Sequence, residues 1–459
     1  MQRDLSQGNI FSTLLLFALP MMAGNLLQQI YNLADTLIVG RYLGPDALAA
    51  VGSAYTLMTF LTSVVTGICM GCGALFAIDY GAKQPEAMKE KIRLSFWFVA
   101  LVTAGICAVV FWGTDEILHL LQIPEKIYGM MREYVRIIFI GISFTSLYNF
   151  FAYLLRAVGN SAVPLYFLAF SSLLNIGLDL WFVMGLGWGI AGAAKATVIA
   201  QAVSGFGIAG YALIYAPGLR RERRVQKNNA QPAKKAARGK ARSFLQIARY
   251  SSLTCLQQSV MNFGILMIQG LVNSFGTTIM AAFAAAVKID TIAYMPAQEF
   301  GNAYSMFISQ NYGAKGEARI QKGTRLAVRI SIFFCIAASV IVCFLAKPLM
   351  RIFVDGSKHE IIAAGVNYLR IEGAFYWGIG CLFLLYGFYR GIGRPEMSLV
   401  LTVISLGTRV ALAYLFAPDP AFGVAAVWWA IPIGWMLADA AGYLYYKKRK
   451  GRLIPDGHV

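Results

Sequence analysis

Four side chains with oxygen atoms lie within apolar stretches of the first half of the chain: Asp35, Asn175, Asp179 and Thr197. Ionisable groups inside apolar segments are energetically costly, so by default they mark a transport pathway or a coupling site. A carboxylate in such surroundings can take up a proton, and carboxylate, amide and hydroxyl oxygens together can hold Na⁺. These residues therefore predict reversible binding of H⁺ or Na⁺, and the same oxygens suit either ion.

Three predicted membrane-spanning segments position this cluster. Asp35 lies on the first segment, about 8 Å below its outer end, and Asp179 on the fifth and Thr197 on the sixth are each about 12 Å deep, at a helical rise of about 1.5 Å per residue. Asn175 lies one turn from Asp179 on the same helix face. We therefore predict that the four side chains meet at one depth. The alternative is that the two aspartates complete helix ends or pair with Lys195.

The composition excludes a soluble globular protein. Of the 459 residues, 58% are hydrophobic and only 14% are charged, whereas about a quarter of the residues in an average soluble protein are charged. Long apolar stretches separated by short polar loops indicate an all-α polytopic membrane protein. The formal net charge of +18 does not predict nucleic-acid binding, because a basic groove needs a folded soluble surface to carry it.

Twelve apolar stretches predict twelve transmembrane helices. Lys and Arg are concentrated in the 219–243 segment, in the tail and in the loops after the second and eighth helices. Basic loops stay in the cytoplasm, so both termini are predicted to be cytoplasmic. The predicted helices span approximately residues 11–40, 47–79, 92–113, 130–157, 161–186, 189–216, 244–275, 279–312, 325–346, 361–389, 395–416 and 422–446.

An internal repeat divides the chain into two six-helix halves. The Tyr-Gly-Ala-Lys sequence at residues 80–83 recurs 232 residues later at 312–315, and three further matches keep an offset of 232 or 234. An even number of helices gives both halves the same orientation, related by an axis along the membrane normal with a cavity between them. The predicted parts are an N-lobe (1–217), a mobile basic cytoplasmic linker (218–243), a C-lobe (244–447) and a cytoplasmic tail (448–459).

The repeat also shows that the oxygen cluster is confined to one half. The residues at the corresponding positions of the second half are Met267, Arg409, Ala413 and Ile431. A structural requirement of the fold would be expected in both halves, so the asymmetry favours a function of the first half alone.

The second half contains other candidates for a solute-binding cavity, namely Glu299, Glu372 and Arg409. Either glutamate can serve as the counter-ion of a cationic solute. Internal ion pairing with Arg409 or Lys288 is an equally good explanation. In the first helix, Pro20 removes a backbone hydrogen bond, so this helix is expected either to bend there as Asp35 gains or loses its cation or to hold a static kink.

Several segments resemble the multidrug and toxic compound extrusion (MATE) family, and together they cover almost the whole chain. Glu372 lies on the tenth predicted helix, but the seventh contains no Asp or Glu, which resembles the DinF-like branch more than the NorM-type branch. The matching segments are Pro20-Met-Met-Ala-Gly-Asn25, Asp35-Thr-Leu-Ile-Val-Gly40, Leu48-Ala-Ala-Val-Gly52, Tyr80-Gly-Ala-Lys83 with its second copy, Arg156-Ala-Val-Gly-Asn160 and Pro296-Ala-Gln-Glu-Phe-Gly-Asn302.

The resemblance implies a transporter and not an enzyme. Its twelve helices would form two lobes arranged as a V in the cell inner membrane, and a monomer would export small organic compounds in exchange for H⁺ or Na⁺. In prokaryotic members an N-lobe cluster is implicated in cation coupling, and Asp35, Asn175, Asp179 and Thr197 match it one by one. The resemblance implies no cofactor, no nucleic acid and no partners beyond substrates and membrane lipids. The alternative within the superfamily is a lipid-linked oligosaccharide flippase, although the scattered cations do not favour it.

Overall fold

The computed structural model describes residues 3–120, 123–215, 233–419 and 421–453. These residues form fifteen α-helices and one π-helical segment, and they contain no β-strand. The helices are α1 (Ile10–Tyr42), α2 (Gly44–Gly81), α3 (Pro85–Trp112), α4 (Thr114–Leu120), α5 (Glu125–Ile138), α6 (Ile140–Ala157), α7 (Ala162–Asp179), α8 (Gly189–Tyr215), α9 (Ala233–Asn273), α10 (Thr277–Gly313), α11 (Glu317–Phe353), α12 (His359–Gly373), α13 (Tyr376–Gly391), α14 (Pro395–Phe416) and α15 (Gly423–Leu453), and the π-helical segment Leu180–Gly185 continues α7.

The prediction of an all-α membrane protein with about twelve spans is confirmed. Eleven spans in the described residues are long and apolar enough to cross a membrane, and α12 with α13 forms one further span bent by 52°. Large apolar side chains on α3, such as Trp97 and Leu101, are 67% and 73% exposed. Such outward-facing apolar surface fits a bilayer, in which a helix satisfies all of its own backbone hydrogen bonds.

The seventh span begins earlier than its predicted boundary. Helix α9 begins at Ala233, so residues 233–243 of the predicted linker are helical and continue directly into the seventh span. The Ala and Lys among these residues have high helix propensity, which favours the helix. Residues 218–232 of that segment lie outside the described residues.

The chain separates into two compact units. The first unit contains Met1–Asp4 and Leu19–Cys255, and the second contains Leu5–Ala18 and Leu256–Val459. Within the first unit α2 packs on α6 and α7 packs on α8, and within the second unit α10 packs on α13 and α14 packs on α15. Helices at corresponding positions of the repeat therefore pack on each other in both units.

Backbone geometry repeats with the sequence. Lys83 and Lys315 have φ values of 54° and 55°, and they are the non-glycine residues with positive φ in the described part of the chain. Three glycine pairs share this left-handed geometry at offsets of 232 or 234: Gly44 with Gly276, Gly159 with Gly393 and Gly189 with Gly423. Because positive φ is rare outside glycine, these matched positions confirm the predicted internal repeat.

Candidate functional site

The first unit brings the four predicted oxygen-bearing residues together. Asp35 comes from α1, Asn175 and Asp179 from α7, and Thr197 from α8. Asp179 is 0% exposed and Asn175 2% exposed. The Asn175 side-chain amide donates a hydrogen bond of 3.3 Å to the Thr197 hydroxyl. The Asp35 and Asp179 carboxyl groups are neighbours and interact electrostatically.

The cluster contains four buried oxygen atoms without a hydrogen-bond partner: Asp35 Oδ1, Asn175 Oδ1, and Oδ1 and Oδ2 of Asp179. A buried acceptor without a donor costs about 1–3 kcal/mol, and more when it is charged. A bound proton or a small cation would satisfy these oxygens. These buried oxygens can therefore bind a positively charged ligand.

Lys195 does not supply that charge. Its side chain is exposed, and its ammonium group lies 4.8 Å from the centre of the Trp188 ring. No ion pair among the described residues joins it to Asp35 or Asp179. The aspartates therefore do not pair with Lys195, whose ammonium group makes a cation–π contact with Trp188 instead.

Local sequence explains how α7 and α8 approach each other at the site. α7 ends at Asp179, and the chain continues as a π-helical turn, a feature that is frequent at functional sites. At the start of α8, Gly192 faces Phe182 of that turn so closely that an added Cβ would lie 3.2 Å from the Phe182 Cβ. Small residues permit such close packing between membrane helices.

Two tyrosines belong to the site although sequence reasoning did not find them. Tyr31 and Tyr134 both lie close to the Asp35 and Asp179 carboxyl groups. Tyr31 is four residues before Asp35 on α1, so helical spacing could have indicated it. Tyr134 lies on α5 and is 6% exposed, and only tertiary packing brings it to the cluster.

The second unit contains a buried charged cluster of a different kind. Asp290 on α10 and Glu372 at the end of α12 are 3% and 2% exposed, and their carboxyl groups are adjacent. Arg409 on α14 is near both and acts on them through its charge. Two predicted cavity residues, Glu372 and Arg409, thus meet, together with an aspartate that sequence reasoning did not select.

Glu299 lies in a different network from Glu372. Asn302 donates to the Glu299 carboxylate at 3.3 Å and accepts from the buried Arg390 guanidinium at 3.1 Å. Asn302 thus connects Glu299 to Arg390. The adjoining pocket has a volume of about 20 Å³, which is room for about one water molecule.

A duplicated bundle of membrane-spanning helices, with buried ionisable clusters inside it, is the architecture of a membrane transporter. The family model described as MatE matches residues 20–181 and 254–415, once in each half. The chain belongs to this family, the MATE transporters, whose members are multidrug transporters and not enzymes. It is accordingly a multi-pass protein of the inner membrane.

Individual relatives agree over almost the full length. The chain is 31% identical to "Probable multidrug resistance protein YpnP" of Bacillus subtilis (strain 168), with 97% of this chain and 96% of the relative covered. It is 27% identical to "DNA damage-inducible protein F" of Escherichia coli (strain K12), with 91% and 87% covered. The solved structure of a MOP superfamily transporter from Pyrococcus furiosus Vc1 (DSM3638) superposes with a TM-score of 0.87 at 24% identity, covering 98% of both chains.

Proposed function

We propose that the protein is a cation-coupled antiporter that exports amphipathic, often cationic, organic compounds across the cytoplasmic membrane by alternating access. The multidrug resistance designation of the Bacillus subtilis relative supports the substrate class. Similarity to DNA damage-inducible protein F agrees with a place nearer the DinF-like branch.

One observation carries the coupling part of this proposal: in the first unit three oxygens of a neighbouring pair of carboxyl groups and one amide oxygen are buried without hydrogen-bond partners. Two ionised carboxylates side by side repel each other strongly in a medium of low dielectric. Uptake of H⁺ or Na⁺ removes that repulsion, and loss of the cation restores it. The cluster can therefore bind and release a cation reversibly.

The residues have distinct roles in this scheme. Asp35 is the principal carrier, because its helix contains Pro20 and can move the carboxyl group by bending. Asp179 is its partner on α7, while Asn175 and Thr197 supply neutral oxygens. Cation binding favours one access state and solute binding the other, so each ligand displaces the conformation that the other prefers.

The second unit provides the candidates for solute recognition, namely Glu299, Glu372 and Arg409. Negative charge on either glutamate would attract a cationic solute. We further propose that the protein works as a monomer surrounded by membrane lipids, with both termini in the cytoplasm. This orientation rests on the concentration of Lys and Arg in the loops on one side.

Dye efflux from proteoliposomes tests the proposal. Purified protein is reconstituted, and a pH gradient and a Na⁺ gradient are imposed in separate experiments. Efflux that follows one gradient and collapses when an ionophore dissipates it supports antiport and identifies the ion. Equal dye movement without any gradient would contradict coupling and indicate a channel or a scramblase.

A further inference from the structure

The segment before α1 is bound at several points by one arginine of the same unit. Arg319, on α11, donates from all three guanidinium nitrogens to backbone carbonyl groups of this segment. Nε and Nη2 reach the Leu5 oxygen at 3.2 Å, Nη2 reaches the Gln7 oxygen at 2.6 Å, and Nη1 reaches the Gly8 oxygen at 2.7 Å. Hydrogen bonds from a charged donor are about twice as strong as neutral ones.

Buried amide side chains complete this docking site. Leu5 is 0% exposed. Its backbone N–H donates to Gln310 Oε1 at 2.9 Å, and its carbonyl also accepts from Asn311 Nδ2 at 3.1 Å. The Arg319 guanidinium lies over the Phe307 ring, 5.5 Å from its centre. The site therefore matches both the donor and the acceptor of one backbone position.

The internal repeat shows that this site is specific to the second unit. At an offset of 232, Asn311 corresponds to Asp79 and Gly323 to Lys91. In the first unit Asp79 and Lys91 form a buried ion pair with an N–O distance of 2.8 Å. In the second unit that pair is absent from the equivalent positions. There Gly323 lies against the Phe307 ring, and Asn311 binds the segment at Leu5.

Helix α1 begins almost directly after the bound segment. Gly8, whose carbonyl is bound by Arg319, is followed by Asn9, whose side-chain oxygen accepts from the Phe11 and Ser12 amides at 2.9 and 3.3 Å. This is an N-cap, which fixes the start of a helix. Only Asn9 therefore separates the backbone bound by Arg319 from α1, the helix that carries Asp35.

The first turns of α1 belong with the docking site. Residues Leu5–Ala18 are part of the second unit, and the chain enters the first unit at Leu19, next to Pro20. Leu14 and Phe17 are each 1% exposed, so this part of the helix is firmly packed. Pro20, where the helix can bend, thus lies just after the part of α1 that belongs to the second unit.

We propose that Arg319, Gln310 and Asn311 form a docking site for the chain's own N-terminal segment and anchor the base of α1. With this base held, a bend at Pro20 displaces the Asp35 end of the helix while the helix as a whole cannot slide. Arg319 is a positioning residue here, since it contacts neither the substrate nor the cation. Only the effect on transport rests on the proposed function; the docking itself does not.

Hydrogen exchange of the full-length protein, measured by mass spectrometry on peptides that cover residues 3–12, tests the docking. Arg319→Gln removes the guanidinium group that binds the segment. Asn311→Asp is an isosteric change to the residue type at position 79, and it removes the amide group that donates to the Leu5 and Phe307 carbonyls. Arg325→Gln is the control, because it removes an exposed charge from the same helix. Loss of one charge-assisted hydrogen bond corresponds to about tenfold or more in exchange rate.

We expect faster exchange of this segment in Arg319→Gln and Asn311→Asp, and wild-type exchange in Arg325→Gln. Unchanged exchange in Arg319→Gln and Asn311→Asp would overturn the docking, provided that thermal unfolding shows both proteins to be folded.

In proteoliposomes, Arg319→Gln should lose most coupled efflux while its affinity for the dye stays unchanged. Faster exchange with full efflux would overturn the anchoring role. If Asp35→Asn also retains full efflux, the proposed function itself fails, and the exchange result still decides the docking.

Discussion

The two units place buried carboxyl pairs on the same scaffold but balance their charge differently. In the first unit Asp35 and Asp179 have Asn175 beside them, and no cation among the described residues pairs with them. In the second unit Asp290 and Glu372 have Arg409, which occupies the repeat position of Asn175. The second pair thus has a permanent positive charge next to it, whereas we propose that the first takes up a cation from outside. In this proposal the duplicated fold assigns cation exchange to one copy only.

The largest effect is expected from removing a carboxylate of the first pair. Asp35→Asn or Asp179→Asn leaves a single ionisable group and no repulsion for a cation to relieve, so gradient-driven dye efflux should fall to background at normal protein levels. The double variant should be no worse than either single variant, because the pair acts as a unit. Asp46→Asn is the matched control, since Asp46 of the first unit makes an exposed ion pair with Lys126, and it should keep full activity. Undiminished efflux by Asp35→Asn would contradict the comparison.

A second variant replaces Arg409 of the second unit with asparagine, the residue type at the corresponding position 175 of the first unit. Arg409→Asn removes the positive charge near Asp290 and Glu372, so we expect a loss of about 1–3 kcal/mol in the free energy of unfolding. Adding Glu372→Gln should restore most of the stability, because only one acidic group remains. Thermal unfolding of the purified proteins measures both changes. A melting temperature equal to that of the wild type for Arg409→Asn would show that the arginine does not balance the pair.

A smaller effect is expected at the neutral ligands. Thr197→Ala removes the hydroxyl group that accepts from Asn175, whereas Thr197→Ser keeps it. One hydrogen bond contributes about 0.5–1.5 kcal/mol, so the cation concentration for half-maximal efflux should rise about two- to tenfold in the alanine variant. The serine variant should behave like the wild type. Equal shifts in the two variants would mean that the methyl group, not the hydroxyl, matters.

The smallest effect distinguishes two carboxylates, Asp115 and Asp355, in the connections that follow α3 and α11. A bidentate hydrogen bond from Arg132 lowers the pKa of Asp115, and the hydroxyl and amide of Ser357 lower the pKa of Asp355. Each carboxylate stabilises the fold above its ordinary pKa of about 4, and this contribution is lost as the pH falls further. Asp115→Asn and Asp355→Asn should therefore each lower the melting temperature slightly at pH 7 and not at about pH 3. High salt should remove only the Asp115 effect, since only that contact is ionic. Equal salt sensitivity would contradict this distinction.

Sequence patterns predict most of the fold and part of the site. Hydropathy and the repeat were sufficient for the spans, because a bilayer enforces long apolar helices and duplication preserves positive-φ positions such as Lys83 and Lys315. Helical spacing and depth were sufficient to select Asp35, Asn175, Asp179 and Thr197. They did not place Tyr134 at the first cluster or Asp290 at the second. Those contacts depend on how helices distant in sequence pack, which one-dimensional periodicity does not contain.

Docking of the N-terminal segment also could not be predicted from the sequence. Nothing in the spacing of Arg319 and Leu5 indicates that a side chain on α11 binds a backbone more than 300 residues away. The comparison of Asn311 with Asp79 becomes informative only after the structure shows what each side chain contacts. Repeat comparison thus identifies positions that differ, and the structure supplies the reason.

The central claim is that the first-unit pair couples cation binding to solute binding. Equilibrium binding of a fluorescent substrate to purified protein, titrated with H⁺ or with Na⁺, tests it most directly. We predict that the coupling cation weakens substrate binding to the wild type, and that Asp35→Asn binds substrate with an affinity independent of that cation, as reciprocal linkage requires. The same cation dependence in the wild type and in Asp35→Asn would contradict the account.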